Sequence, residues 1–92
     1  MMTDKMPARG AKGKFQRFRK ALAALHSSGE AGMPRDGLED FIIQKFGVGY
    51  KTAKDDIKFL EGTRTIKVVL GVVTITERGF EILDNGKFPG ED

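Results

Sequence analysis

Apolar residues recur at helical spacing in three stretches of the first 62 positions. The first stripe predicts a helix over residues 14–27 and consists of Phe15, Phe18, Leu22 and Leu25. The second predicts a helix running through about Lys45, in which Asp36 and Glu39 have the spacing of a capping box, and its stripe is Leu38, Phe41, Ile42 and Phe46. The third predicts a helix over residues 50–61, with one face formed by Ala53, Ile57 and Leu60.

The period of the pattern changes to two after the third helix. The stretch "RTIKVVLGVVTIT" is rich in β-branched residues and is interrupted by Leu70-Gly71. It therefore predicts a tight hairpin that pairs residues 65–69 with residues 72–76. Thr76 then suits the N-cap of a short fourth helix, which Asn85-Gly86 ends and whose apolar anchors are Phe80, Ile82 and Leu83. A short extended piece is also expected at Met33.

These elements divide the chain into three parts. Residues 1–13 contain proline, glycine and little apolar content, and are expected to be a flexible basic arm. Residues 14–84 form the predicted domain, and residues 85–92 the predicted tail. Residues 1–20 carry seven basic side chains and one acidic one, a local charge of +6, whereas the whole chain sums to +3. This asymmetry suggests that the chain binds a polyanion, with nucleic acid as the first candidate and anionic membrane as the second. A solvated, solubilising tail is an equally open interpretation.

Several kinds of chemistry have no support in the sequence. The chain has no cysteine, and the single histidine, His26, cannot form a zinc site alone. Ser27 and Ser28 adjoin that histidine, but sequence neighbours do not make a catalytic triad. No apolar run approaches the roughly 20 residues that span a membrane. We therefore expect a cytoplasmic protein that is not an enzyme and has no cofactor, metal or evident small-molecule substrate.

The segment "FGVGYKTAKDDIKFLEG", followed by "VVTITERGFEIL", resembles small archaeal, bacterial and viral winged helix-turn-helix DNA-binding proteins. Val48 stands where their turn has a buried apolar residue, while Gly49 replaces the usual serine. Residues 75–79, Ile-Thr-Glu-Arg-Gly, match the run that often closes the wing. The resemblance covers roughly residues 14–84. It implies an α+β winged helix-turn-helix fold with a three-helix core, a two-stranded wing and a short C-terminal helix.

The same resemblance implies that helix 50–61 enters the major groove of duplex DNA. Candidates for groove contact are Tyr50, Lys51, Thr52, Lys54, Asp55 and Lys58. Candidates for phosphate contact are Arg35, Arg64 and Lys67, and the arm adds Arg9, Lys12 and Lys14. A homodimer is expected, because two-fold pairing is the common way for a small reader to gain affinity.

Some alternatives stay open at this point. Asp55 either forms surface ion pairs with Lys51 and Lys58 or accepts a hydrogen bond from a cytosine amino group, and the ion pair is favoured. Phe59 either packs under the wing or belongs to a subunit interface. The wing tip, residues 69–72, is uncharged, which disfavours it as the main DNA contact.

Four functions fit these features. The favoured function is a nucleoid-associated transcriptional regulator that reads a specific DNA sequence. A plasmid or viral operator- or centromere-binding protein would use the same fold. An architectural DNA binder would depend on the basic arm, and a docking domain would bind protein instead of DNA.

Overall fold

The structure, a computed structural model, describes residues 10–89 and their side chains from residue 13 onward. Within that range the protein is a small α+β domain with four helices and a three-stranded antiparallel sheet. The helices are α1 (Gly10–Ser28), α2 (Arg35–Phe46), α3 (Tyr50–Gly62) and α4 (Glu77–Asn85). The strands are β1 (Met33–Pro34), β2 (Ile66–Val69) and β3 (Val72–Ile75), and a short 3-10 turn, Gly29–Ala31, follows α1.

The three helical stripes and the hairpin are confirmed. Phe18, Leu22, Leu25, Leu38 and Ile42 are buried in one core with the predicted inner face of α3, which consists of Ala53, Ile57 and Leu60. The hairpin pairs Val69 with Val72 and Ile66 with Ile75 across a two-residue turn. Leu70 and Gly71 both have positive φ in that turn, 52° and 78°, as the twist of a tight hairpin requires.

The sheet has the order β1-β3-β2, so the extended piece at Met33 joins the hairpin as a third strand. Met33 pairs with Val73, and Gly32 just before it has a φ of 70°. A Cβ atom at Gly32 would come within 2.3 Å of the Val73 carbonyl oxygen. Glycine is therefore required both by the backbone conformation and by the close approach of β3.

The Thr-x-x-Gly run after β3 holds the start of α4 against the segment between α3 and β2. The Thr76 hydroxyl accepts a hydrogen bond from the Gly79 amide at 3.2 Å and donates one to the Arg64 carbonyl at 2.6 Å. A Cβ atom at Gly79 would come within 2.3 Å of the Thr65 carbonyl oxygen. The predicted N-cap is thus confirmed, and the glycine is explained by the close contact between α4 and the segment that enters β2.

Two predicted boundaries of the domain are wrong. α1 begins at Gly10, four residues before the predicted start, so residues 10–13 of the supposed flexible arm are helical. Residues 1–9 lie outside the described part of the chain. The supposed tail contains Phe88, which is only 3% exposed and packs against Phe15 and Phe18 with ring centroids 5.6 and 5.7 Å apart. Burial of this aromatic ring extends the domain beyond residue 84.

Two local predictions also fail. Asp36 and Glu39 do not form a capping box: α2 begins at Arg35 after Pro34, without a side-chain cap, and Glu39 is buried instead. Phe80 is 48% exposed rather than an anchor in the core. Its ring lies 5.0 Å from that of His26 on α1, because the core-facing positions of α4 are taken by Ile82 and Gly79.

Candidate nucleic-acid interface

The outward face of α3 is formed by Lys51, Asp55 and Lys58, all of which are exposed. The Lys51 ammonium lies 3.5 Å from the Asp55 carboxylate, so the ion pair expected from the i, i+4 spacing is confirmed. Lys58 forms no ion pair with the described residues. Of the two lysines on this face, Lys58 is therefore the one whose positive charge is not neutralised by a described acidic side chain.

The flank of α3 that faces α1 is closed and tightly bonded. Asp56 receives two hydrogen bonds from the Arg17 guanidinium, at 2.6 and 3.0 Å, and both side chains are buried. Phe59 stacks on Phe18 with ring centroids 4.3 Å apart and planes 11° from parallel. The prediction that Phe59 packs under the wing is wrong, because it closes the aromatic cluster between α1, α3 and Phe88.

The flank that faces α2 is polar and more open. Glu39 lies at its centre, 1% exposed, and its Oε2 atom is 3.7 Å from Arg35 Nε and 3.6 Å from Lys54 Nζ. Arg35 also lies 3.7 Å from the Glu61 carboxylate at the far end of α3. These distances exceed the roughly 2.7–3.2 Å of direct N–H···O hydrogen bonds, so charge attraction rather than close bonding holds this flank.

Tyr50 begins α3 next to this cluster. The Lys54 ammonium lies 4.8 Å from the centre of its ring, within the range of a cation–π contact. The pKa of Tyr50 is raised, first by a hydrogen bond with the Glu39 carboxylate and then by its negative charge, while Lys54 acts in the opposite direction. Even so, the Oε1 atom of Glu39 has no partner that meets hydrogen-bond geometry among the described residues.

The predicted contact residues therefore fall into separate groups. Tyr50 and Lys54 join Arg35 on the α2 flank, Lys51, Asp55 and Lys58 share the outward face, and Thr52 is partly buried one turn before Asp56. Three predicted contact residues outside α2 and α3 are exposed: Lys14 on α1, Arg64 in the α3–β2 turn and Lys67 on the edge strand β2. Arg64 has a φ of 65°, an uncommon value for a non-glycine residue. Arg9 and the side chain of Lys12 lie outside the described residues.

Sequence reasoning missed Arg17, Glu39 and Asp56, the acids and the cation that fix α3 in place. Arg17 lies between Phe15 and Phe18 but outside the apolar stripe of α1, and Asp56 adjoins Asp55, so neither position indicated a buried charge. The i, i+4 spacing of Arg35 and Glu39 was a usable signal for one pair. The Arg17–Asp56 pair spans 39 positions and had no local signal.

Charge on α3 and its surroundings is nearly balanced. The helix carries three lysines and three acids, and Glu39 further offsets Arg35 and Lys54. Such a surface attracts a polyanion weakly through net charge alone. Binding by this face would thus depend on where each charge lies more than on their sum.

Among residues 10–89, no helix combines the length and apolarity needed to cross a membrane. The described histidine and acidic side chains form no group that could hold a metal ion. No protein-family model matches the chain, and no curated protein is significantly similar to it.

Proposed function

We propose that the chain is a winged-helix protein that binds duplex DNA in a sequence-specific manner and regulates transcription at the nucleoid. The observation that carries the proposal is the outward face of α3, on which Lys51, Asp55 and Lys58 stand exposed while both flanks are fixed to neighbouring helices. A rigid helix with one free polar face fits a major groove about 12 Å wide.

The surrounding architecture supports a winged helix. α2 and α3 are joined by a three-residue turn, and Gly47 in that turn adopts the left-handed conformation. The β2–β3 hairpin lies after α3, and β1 completes the sheet from the segment before α2. This order brings the hairpin to one side of the reading helix, where Arg64 and Lys67 are available to phosphates.

The roles of the outward residues follow from their surroundings. Lys58 is free to contact phosphate or a guanine edge, whereas Lys51 must share its charge with Asp55. A carboxylate in the groove repels phosphates and gains only from a well-placed cytosine amino group. Asp55 therefore acts against generic binding, which favours a sequence reader over an architectural coating protein.

The test is fluorescence anisotropy with a pool of random duplexes across salt concentrations, followed by sequencing of the retained DNA. A specific reader will enrich one motif. Lys58→Ala should lower the salt slope by about 0.9 if it contacts one phosphate. Lys87→Ala, an exposed lysine outside α2 and α3, serves as the matched control. Failure to bind any duplex at low salt, or equal effects of both variants, would refute the assignment to α3.

Protein docking is the second candidate function, and the outer face of the sheet favours it. Pro34, Val72 and Val69 are exposed neighbours in one cross-strand row. Leu70 at the adjoining turn is 97% exposed. The occupant that we propose is a second copy of the chain, because β2 is an edge strand: two-fold pairing of identical edges would pair the backbone groups of both edges and bring the two apolar rows side by side.

This homodimer can be tested separately from DNA binding. Leu70→Asn would remove the apolar tip yet create Asn-Gly, the sequence preferred where both turn residues have positive φ. The hairpin should therefore survive while sedimentation velocity detects weaker self-association. A wild-type chain that stays monomeric at every concentration would exclude this occupant.

A further inference from the structure

Glu39 is the most unusual ionisable residue of the described chain. It lies in the middle of α2, is 1% exposed, and its Oε1 atom has no hydrogen-bond partner among residues 10–89. A buried carboxylate with an unsatisfied oxygen costs stability, because it has lost its hydration without full replacement. Such a group calls for an explanation beyond packing.

The cations around Glu39 do not satisfy it fully. Arg35 Nε and Lys54 Nζ both approach the same oxygen, Oε2, at 3.7 and 3.6 Å. The side chains of Arg35 and Lys54 are 33% and 52% exposed, so each presents its charged end to solvent as well as to the carboxylate. One buried anion thus holds two surface cations that come from different helices.

Tyr50 completes the arrangement from the first turn of α3. Its ring centre lies 4.8 Å from the Lys54 ammonium, and the nearby Glu39 carboxylate raises the pKa of its hydroxyl. Glu39 therefore lies within ion-pair distance of Lys54 and Arg35 and acts electrostatically on Tyr50. All three residues are assigned to the DNA-facing surface. A change at this one buried position would alter the placement of all three.

We propose that Glu39 is a positioning residue for sequence recognition: its buried carboxylate aligns Tyr50, Lys54 and Arg35 and withholds the two cations from generic phosphate contact. This inference rests on the proposed DNA-binding function. Without the carboxylate, Lys54 would reach any nearby phosphate, Arg35 would be restrained only by Glu61, and non-specific affinity would rise. The fixed placement of Tyr50 and Lys54 against base edges would be lost, and discrimination would fall.

The first experiment compares Glu39→Gln with wild type on the selected duplex and on a scrambled one. Non-specific affinity at low salt should rise about tenfold, and the salt slope should steepen by up to about 1.8 if two cations are freed. Discrimination between the duplexes should fall about tenfold.

Asp40→Asn is the matched control, since it removes the same charge from the neighbouring, exposed position of α2. The proposal is overturned if Glu39→Gln and Asp40→Asn behave alike. If wild type binds no duplex, the DNA-binding function itself fails and this inference falls with it.

A second measurement needs no DNA. Tyr50 is the only tyrosine of the chain, which also has no tryptophan, so absorbance near 295 nm during alkaline titration reports this residue alone. Wild-type Tyr50 should titrate above 10.0, and Glu39→Gln should return its pKa towards that ordinary value. A wild-type pKa at or below 10.0 would contradict the arrangement.

Lys54→Gln provides an independent variant if Glu39→Gln fails to fold. The Lys54 side chain is half exposed, so the fold should tolerate the change. Because the Lys54 charge lowers the pKa of Tyr50, its removal should raise that pKa further and reduce discrimination between duplexes. An unchanged Tyr50 pKa together with unchanged discrimination would overturn the proposal.

Discussion

The two flanks of α3 hold the same helix by opposite means. Towards α1, Asp56 and Arg17 are joined by two short hydrogen bonds, and Phe59 stacks on Phe18 beside them. Towards α2, Glu39 attracts its cations across more than 3.5 Å, and those cations remain partly exposed. One flank is thus saturated with its own contacts, whereas the other keeps charged groups that can still bind something else.

This difference teaches how a small domain can be both stable and adaptable at one helix. Buried groups that are joined by short hydrogen bonds are not accessible to a ligand, so the α1 flank contributes to the stability of the fold. Long, shared ion pairs restrain the cations yet leave their charged ends partly exposed, so the α2 flank can still interact with a ligand that is correctly placed. The α1 flank therefore fixes the position of the outward face of α3, and the α2 flank adjusts the charged groups beside it.

The largest expected effect comes from breaking the saturated flank. Asp56→Ala removes the carboxylate that neutralises the buried Arg17 guanidinium. We expect a loss of about 3–5 kcal/mol in the free energy of unfolding, measured by urea denaturation followed by circular dichroism. That is a large part of the roughly 5–15 kcal/mol typical of a folded domain.

The double variant Arg17→Met, Asp56→Leu is the control for that prediction. Replacing both charges by apolar groups of similar size should restore most of the stability, because no buried charge is then left without its partner. A loss below about 1 kcal/mol in Asp56→Ala would show that the α1 flank is not held as described.

The next effect concerns the aromatic part of the same flank. Phe88→Ala removes a buried ring that contacts Phe15, Phe18 and Phe59, and should cost about 3 kcal/mol. Phe80→Ala removes an identical side chain from a half-exposed position and should cost less than about 1 kcal/mol. Equal losses in thermal or urea unfolding would place Phe88 outside the core.

A smaller effect is expected on the open flank. Glu39→Gln should change the free energy of unfolding by no more than about 1 kcal/mol, because the lost attraction is offset by relief of an incompletely satisfied buried charge. Asp56→Asn, the same chemical change on the closed flank, should destabilise the protein considerably more. If Glu39→Gln and Asp56→Asn lower the free energy of unfolding equally in urea titrations, the proposed contrast between the two flanks is wrong.

The smallest effect belongs to the outward face. A double-mutant cycle with Lys51→Ala and Asp55→Ala should yield a coupling of about 0.3–0.5 kcal/mol at low salt. The coupling should vanish in high salt, since both side chains are exposed and screened. A coupling energy that persists in high salt would show that the Lys51–Asp55 pair is shielded from solvent, contrary to its exposed position.

Local patterns predicted most of the framework. The stripes of α1, α2 and α3, the Leu70-Gly71 turn and the Thr76 cap each depend on residues close together in the chain. Their physical causes, helical periodicity and backbone capping, are visible within a few positions. The same reasoning identified the outward face of α3 and its Lys51–Asp55 pair.

What the sequence could not predict depends on distant partners. Asp56 looks like a surface acid until Arg17 is brought beside it from α1. Phe88 looks like part of a polar tail until three other rings surround it. Glu39 fits a capping box by spacing, yet the packing of α2 against α3 buries it. Each depends on how helices pack, which short-range patterns do not encode.

The pairing of β1 with β3 also bears on the order of folding. β2 and β3 are joined by a two-residue turn and can zip together locally, whereas Met33 reaches Val73 only after the chain containing α2 and α3 has closed into a loop. Closing that loop costs entropy before the contact is made. The third strand should therefore dock late, and substitution of Gly32 should mainly speed unfolding rather than slow folding.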